Sequence, residues 1–274
     1  GHVGSATVTA LAPSAVEGVG QLCELKSEIL KEQPIPMGST QRRPDIAEVF
    51  SPPRVTATAG TMELKAGVAL DLRTADAEGR RWDFDDPEVC RRALDLVRAT
   101  KPRLLIGSPD CTAFSNLQNL SKGRRDPVVV KALWERACKH LEFCTLLYHE
   151  QLRRGDLFVH EHPSSASSWK QECMQRLGRQ PGVMSVNAHM CAHGMWATDE
   201  DGPGLVKKPT TFLTNSVHVG RCIGKTCTGD HRHVHLMGGR ARAAGVYPEG
   251  LQKAFCEGMK LDKAAQLEAA AKDK

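Results

Sequence analysis

Short apolar runs alternate along this chain with longer segments in which hydrophobic positions recur every three or four residues. A short apolar run that stops at Gly, Pro or Asp predicts a buried strand, and the three-to-four spacing predicts an amphipathic helix. The predicted strands cover residues 46–50, 67–72, 103–107, 156–161, 183–187 and 211–215, with 82–84 as the start of a further short element. The predicted helices cover residues 14–33, 86–99, 127–154, 167–179 and 249–274.

Strands that alternate with helices predict βαβ units and a largely parallel sheet. We therefore expect an α/β fold with a Rossmann-like, doubly wound sheet. Residues 1–43 are expected to form an N-terminal helix or arm, which Pro34 and Pro36 separate from the rest. Residues 44–190 are expected to form the catalytic core. Residues 191–274 are expected to complete that core and to add a small Cys/His-containing extension.

Composition narrows the classes of protein to consider. Of the 274 residues, 41% are hydrophobic and 25% are charged, which is typical of a soluble globular chain. No apolar stretch approaches the roughly 18 residues of a membrane span, and the first residues lack the layout of a signal peptide. We expect an intracellular protein, nuclear or cytoplasmic, with no membrane partner, and the sequence fixes no oligomeric state. Its ten cysteines are then expected to be reduced thiols, with some of them in a metal site.

The segment from Gly107 to Ser115 reads Gly-Ser-Pro-Asp-Cys-Thr-Ala-Phe-Ser and directly follows a predicted strand. It presents Cys111 at the carboxyl end of that strand, where ligands and catalytic groups of open α/β sheets lie. A thiol in this place is a candidate nucleophile. The alternative is a small buried residue that only packs in the turn.

Acidic residues occur at the ends of the other predicted strands in the same half of the chain. Glu48 and Phe50 end the first strand, Asp71 ends the second, Asp83 lies at the third, and Glu161 lies at the fifth. A carboxylate at the end of the second strand is placed to bind the ribose hydroxyls of a nucleoside cofactor. Each acid alone is also compatible with a helix cap or a solvated turn.

Taken together, these motifs resemble those of the cytosine-5 methyltransferases, which use S-adenosylmethionine. The nucleophile motif Gly-Pro-Pro-Cys-Gln-x-Phe-Ser is matched by residues 107–115, Glu-Asn-Val by residues 161–163, and Asp-x-Phe-x-Gly-x-Gly in part by residues 48–53. The resemblance covers residues 44–163 well. The chain also resembles the divergent methylase-like domains of retroelement polyproteins, through His162-Pro163, Lys208-Pro209-Thr210 and a late Cys/His cluster.

The resemblance implies a class I methyltransferase fold, S-adenosylmethionine as cofactor and a polynucleotide substrate, DNA ahead of RNA. It assigns Cys111 as the nucleophile that adds to cytosine C6, and Glu161 as the group that holds the N3/N4 edge. The target base must leave its stack. The cofactor is assigned to Phe50 against the adenine, Asp71 on the ribose, Asp83 near the adenine amine, and Glu48 and Pro109 beside them. The net charge of +5 is compatible with a nucleic-acid partner.

Two departures from the family motifs keep other functions open. Asp110 replaces the second proline beside the nucleophile, and Ser51-Pro52-Pro53 replaces glycines that approach the cofactor. One alternative is therefore a catalytically impaired relic that binds nucleic acid. The other is an unrelated thiol-dependent enzyme in which Cys111 pairs with His160 or His162.

A second cluster packs two cysteines and three histidines into residues 222–235. Thiolates and imidazoles in short loops are typical zinc ligands, so the sequence predicts a zinc site. Its candidate ligands are Cys222, Cys227, His231 and His233, and Cys191, with His189 and His193 around it, is the alternative source of a ligand. The histidines are otherwise expected to contact nucleic acid and the cysteines to pack. Lys207 and Lys208 are expected to contact phosphate or to lie in a solvated loop.

Overall fold

The apolar runs form the strands of one six-stranded sheet in the computed structural model, which describes residues 43–115, 125–236 and 245–272. The strands of this sheet are β1 Ile46–Val49, β2 Ala66–Leu70, β3 Leu104–Gly107, β4 Leu157–Pro163, β5 Met184–His189 and β8 Pro209–Thr214. Their order is β2-β1-β3-β4-β8-β5, and β8 is antiparallel to both of its neighbours. The pairs among β1 to β4 are parallel. The predicted α/β sheet is thus present and mostly parallel, which is compatible with a Rossmann-like fold.

The helices of the described residues are α1 Val55–Thr61, α2 Pro87–Thr100, α3 Pro127–Arg153, α4 Glu172–Gly178, α5 Val217–Ile223 and α6 Glu249–Lys272. Both α2 and α3 begin where an aspartate precedes a proline. The Asp86 carboxylate accepts from Glu88 N at 2.9 Å, and the Asp126 carboxylate accepts from Val128 N at 2.8 Å. None of these helices combines the length and the apolar character needed to cross a membrane.

Helices cover both faces of the sheet. On one face α3 packs on β3 and β4, where Tyr148 stacks on Phe158 with ring centroids 4.8 Å apart. On the other face α1, α5 and α6 share a buried core with the sheet, in which Phe255 meets Phe212 of β8. Because β8 lies between β4 and β5, residues after 190 contribute a strand to the interior of the sheet.

Several elements differ from the sequence prediction. Residues 82–84 form no strand, since this segment only leads into the turn before α2. The helix predicted over 167–179 is divided into a 3-10 turn, Ser167–Lys170, and α4. The short helices α1 and α5 and a two-stranded hairpin, β6 Trp196–Asp199 with β7 Gly202–Leu205, were not predicted. These elements are too short to show a hydrophobic period. The predicted helix over 14–33 lies outside the described residues.

The strand order creates a crevice at the carboxyl edge of the sheet. From β1 the chain moves to β2 on one side and then crosses to β3 on the other side of β1. Loops after β1 and β3 therefore diverge, and ligands of open α/β sheets bind at such a switch point. Because residues 82–84 form no strand, Cys111 follows the third strand of the sheet and not the fourth. Glu161 lies within β4, which continues beyond the predicted end of that strand.

Candidate active site at the carboxyl edge of the sheet

A cleft of about 1070 Å³ opens at this edge of the sheet. Six of the residues predicted for catalysis or cofactor binding line it: Phe50, Asp71, Asp83, Pro109, Cys111 and Glu161. They come from the ends of β1 and β2, the turn before α2, the turn after β3, and β4 itself. The fold thus brings together side chains that are up to 111 positions apart in the sequence.

An aromatic wall forms one side of the cleft around Phe50. Its ring lies 4.5 Å from the ring of Phe84 and 5.0 Å from that of His140, measured between centroids. Phe50 has a φ of 55°, in the left-handed region that non-glycine residues seldom adopt. Backbone strain of this kind concentrates at functional sites. The turn after β1 is therefore held in an unfavourable conformation at the point where Phe50 faces the cleft.

Two carboxylates stand beside this wall. Asp71 directly follows β2, and its Oδ1 accepts from Arg73 N and Arg73 Nε, both at 3.0 Å. Asp83 precedes α2, and its Oδ1 accepts from Asp85 N at 3.1 Å. Both residues line the cleft, so the wall offers an apolar surface for a flat ring and carboxylates for hydroxyl or amino groups.

Glu48 lies behind the cleft and not in it, contrary to its assignment to the cofactor. Its side chain is fully buried, and its carboxylate accepts from Thr56 N and Thr56 Oγ1 at 2.7 Å, Arg54 N at 3.1 Å and Ser51 Oγ at 2.9 Å. It thereby satisfies the backbone donors of the loop that joins β1 to α1. Glu48 is a positioning residue for that loop.

The turn that carries Cys111 is fixed from both ends. A Cβ on Gly107 would come within 1.9 Å of the Tyr148 hydroxyl, so the close approach of α3 requires glycine at the end of β3. Asp110, which replaces a proline of the family motif, points to the backbone: its Oδ1 accepts from Thr112 N at 2.9 Å. The side chain of Asp110 thus stabilises the turn Thr112–Phe114.

His162 joins this turn to β4. Its Nε2 donates to the carbonyl oxygen of Pro109 at 3.0 Å, and its Nδ1 accepts from Ser168 Oγ at 2.6 Å. His160 is fully buried, and its Nδ1 lies 3.1 Å from the Tyr148 hydroxyl. Burial lowers the pKa of both histidines. Neither of them lines the cleft, so neither faces Cys111 as a general base.

The sulfur of Cys111 experiences opposing charges. The pKa of the Cys111 thiol is raised to about 11, mainly by burial; the Glu161 carboxylate contributes to the rise, and the Lys208 ammonium acts to lower the pKa. Lys208 Nζ lies 3.6 Å from Glu161 Oε1. Lys208 had been expected in a phosphate-binding or solvated loop, but its side chain is half-buried beside the two candidate catalytic residues.

Glu161 is buried and only partly hydrogen-bonded. Its Oε2 accepts from the Tyr247 hydroxyl at 3.5 Å, and Tyr247 also contacts Ser108 Oγ. Its Oε1 is buried and makes no hydrogen bond to any of the described residues. Tyr247 precedes α6 and is not among the predicted site residues. Nothing in the sequence links positions 161 and 247, because the contact arises from the docking of α6.

A second group of potential ligands is separate from the residues that line the cleft. The Sγ atoms of Cys191 and Cys227 and one ring nitrogen each of His231 and His233 lie within 4.8 Å of one another, so the cluster is able to bind a metal ion. Cys222, predicted as a ligand, lies instead in α5 and packs against the buried core. Cys191 takes its place because the turn after β5 approaches residues 227–233.

No protein-family model matches the chain, and no curated protein matches it in sequence.

Proposed function

We propose that this chain transfers a methyl group from S-adenosylmethionine to carbon 5 of cytosine in a polynucleotide, with DNA as the first substrate to test. One observation carries the proposal. Cys111 and Glu161 line the same cleft from adjacent strands, and Glu161 Oε1 is a buried acceptor without a hydrogen bond among the described residues. A buried acceptor that makes no hydrogen bond is costly, so it favours a ligand that donates to it. The amino edge of cytosine is such a donor.

The chemistry of cytosine methylation explains why a thiol, Cys111, and a carboxylate, Glu161, are needed in the same cleft. Carbon 5 is a weak nucleophile until a thiolate adds to carbon 6. In that step Cys111 loses its proton to solvent, the sulfur–C6 bond forms, and the C5=C6 electron pair becomes available at C5. Glu161 holds the N3/N4 edge and supports a proton there. The C5 electron pair would then bond to the methyl group of bound S-adenosylmethionine while the sulfur–methyl bond breaks, which leaves S-adenosylhomocysteine. Transfer of the C5 proton to water and departure of the Cys111 sulfur as thiolate then restore the C5=C6 bond and free Cys111.

The remainder of the cleft fits a nucleoside cofactor. Phe50 offers a face for adenine, Asp71 lies where ribose hydroxyls are bound in such folds, and Asp83 is placed for the adenine amine. Pro52 and Pro53 lack amide donors, and Arg54, which lines the cleft, offers a cation for the carboxylate end of the cofactor. When bound, S-adenosylmethionine supplies an electrophilic methyl group.

The alternatives make different demands on the site. A thiol enzyme with a Cys–His pair needs a histidine that faces Cys111, but both ring nitrogens of His162 are hydrogen-bonded elsewhere and His160 is buried beside Tyr148. A relic that binds nucleic acid needs neither cofactor nor nucleophile. Cofactor binding and turnover therefore separate the relic from the methyltransferase.

The test combines calorimetry with a transfer assay. We expect the wild-type protein and Cys111→Ser to bind S-adenosylmethionine with micromolar affinity, about 8 kcal/mol. Of these two proteins, the wild type should transfer a labelled methyl group to cytosine in a DNA duplex and Cys111→Ser should not. Cys138→Ser, which changes a half-buried cysteine of α3 outside the cleft, is the matched control and should retain transfer.

Two results would count against the proposal. A folded wild-type protein that fails to bind the cofactor refutes the assignment of the cleft. A protein that binds the cofactor but methylates neither DNA nor RNA favours the relic.

A further inference from the structure

We infer that Cys191, Cys227, His231 and His233 bind one zinc ion in a closed site that fastens the turn after β5 to the segment 227–234. The inference concerns a site outside the cleft and does not depend on methyl transfer. Two thiolates and two imidazoles form a ligand set that zinc favours, and their charge balances that of the ion.

The separations of the ligand atoms match a tetrahedron around zinc. Cys227 Sγ lies 3.6 Å from His231 Nε2 and 3.4 Å from His233 Nε2. With zinc–sulfur and zinc–nitrogen bonds of about 2.3 and 2.0 Å, a tetrahedral angle gives a sulfur–nitrogen separation of about 3.5 Å. All four ligand atoms lie within 4.8 Å of one another, so the widest pair exceeds a tetrahedral edge by about 1.5 Å at most.

The groups around the ligands hold them in the orientation that zinc requires. His231 Nδ1 lies 2.9 Å from Asp230 Oδ1, so the ring donates to the carboxylate and directs Nε2 at the cluster. A carboxylate behind a histidine in this way is typical of zinc sites. Cys227 N donates to His189 Nδ1 at 2.9 Å, which fixes the backbone at Cys227. His193 is not among the four residues whose ligand atoms lie together, and its Nε2 donates to Ile223 O instead.

The position of the cluster indicates a structural role. Cys191 belongs to the 3-10 turn Met190–His193, which follows β5 of the main sheet. The other three ligands lie in a segment that extends the β6–β7 hairpin: Leu205 N donates to Arg232 O at 3.2 Å, and Val234 N donates to Leu205 O at 2.8 Å. An ion bound here links the main sheet to the hairpin. Four protein ligands leave no position for a catalytic water.

Metal content of the full-length protein and its variants tests the site. We expect one zinc per chain, by elemental mass spectrometry, in protein purified without chelator. Cys191→Ser and His233→Asn should lose most of that zinc. The matched control is Cys222→Ser, which changes the half-buried cysteine of α5 that is closest to the cluster in sequence. It should retain one zinc per chain.

The wild-type protein also provides a test that needs no variant. Replacement of zinc by cobalt should give the intense visible bands of a tetrahedral site together with charge-transfer absorption from two thiolates. Chelation should lower the midpoint of thermal unfolding, and added zinc should restore it.

Three results would overturn the inference. The first is a folded wild-type protein that takes up no zinc. The second is loss of zinc in Cys222→Ser but not in Cys191→Ser. The third is a disulfide between Cys191 and Cys227 in metal-free protein purified with reductant. None of these results bears on binding of S-adenosylmethionine, so failure of this site is distinguishable from failure of the methyltransferase proposal.

Discussion

At the scale of one residue, the charge of Glu161 opposes formation of the Cys111 thiolate, which is the proposed nucleophile. In the proposed reaction Glu161 holds the N3/N4 edge of cytosine, yet burial and the Glu161 charge both raise the pKa of the Cys111 thiol, which lies at about 11. Lys208, 3.6 Å from Glu161 Oε1, acts in the opposite direction. A donor on the substrate that engages Glu161 would reduce the influence of its charge on the sulfur. Substrate binding would then activate the thiol.

The alkylation rate of Cys111 should report this balance. Because the thiolate is the reactive form, the rate with iodoacetamide should rise roughly tenfold per pH unit between about pH 7 and pH 10. Glu161→Gln removes a charge that raises the pKa of Cys111, so it should speed alkylation at pH 8 while it abolishes methyl transfer. The measurement is mass spectrometry of the peptide that contains Cys111, after timed exposure of the protein to iodoacetamide.

Glu135→Gln provides the control for that experiment. Glu135 lies on α3, and its charge raises the pKa of Cys138 instead. This variant should leave the alkylation of Cys111 unchanged. A Glu161→Gln protein in which Cys111 reacts more slowly than in wild type would contradict the electrostatic account.

At the scale of the element, the loop between β1 and α1 depends on one buried carboxylate. Glu48 accepts hydrogen bonds from the backbone of Arg54 and Thr56, and these bonds take the place of regular secondary structure between the strand and the helix. Phe50, with its φ of 55°, lies in the same loop. The strained residue that faces the cleft is therefore held by a group on the opposite side of the loop.

Replacement of Glu48 should destabilise the protein and weaken cofactor binding together. In Glu48→Gln the side-chain NH2 group replaces one carboxylate oxygen and faces backbone N–H groups, which leaves buried donors without an acceptor. We therefore expect the free energy of unfolding to fall by about 2–4 kcal/mol. Urea denaturation measures the change. The control is Glu63→Gln, at a residue that follows α1 and whose side chain is 93% exposed, which should change stability by less than about 0.5 kcal/mol. Equal stability of the two variants would mean that Glu48 does not hold the loop.

At the scale of the whole molecule, sequence patterns predicted most strands and the long helices because each shows a clear period or a clear end. They also predicted that Phe50, Asp71, Asp83, Pro109, Cys111 and Glu161 share an edge, since the strand ends of a parallel sheet meet there. They could not predict which side chains face the cleft. Glu48 differs from Phe50 by two positions, yet it points behind the loop. Tyr247 and Lys208 reach Glu161 through tertiary packing that leaves no local signal, whereas Cys191 was predicted as the alternative ligand from its histidine neighbours.

The charge around the cleft gives a further test at this scale, because a polynucleotide substrate must present phosphates that a free nucleoside lacks. Lys170, at the end of the 3-10 turn Ser167–Lys170, is exposed and lines the cleft. Each phosphate contact that releases a counterion steepens the dependence of log affinity on log salt by about 0.7–0.9. Lys170→Ala should reduce the slope for a labelled DNA duplex by about this amount, measured by fluorescence anisotropy across a salt series.

Lys253→Ala is the matched control for that measurement. Lys253 lies on α6, does not line the cleft, and pairs with Glu249 at 2.7 Å. Its loss changes the net charge by the same amount as the loss of Lys170, so it should lower affinity slightly but leave the slope unchanged. If both variants behave alike, the effect comes from net charge and the duplex does not contact this rim of the cleft. If only Lys170→Ala reduces the slope, phosphate lies beside the opening that leads to Cys111, as extrusion of a base from a polynucleotide requires.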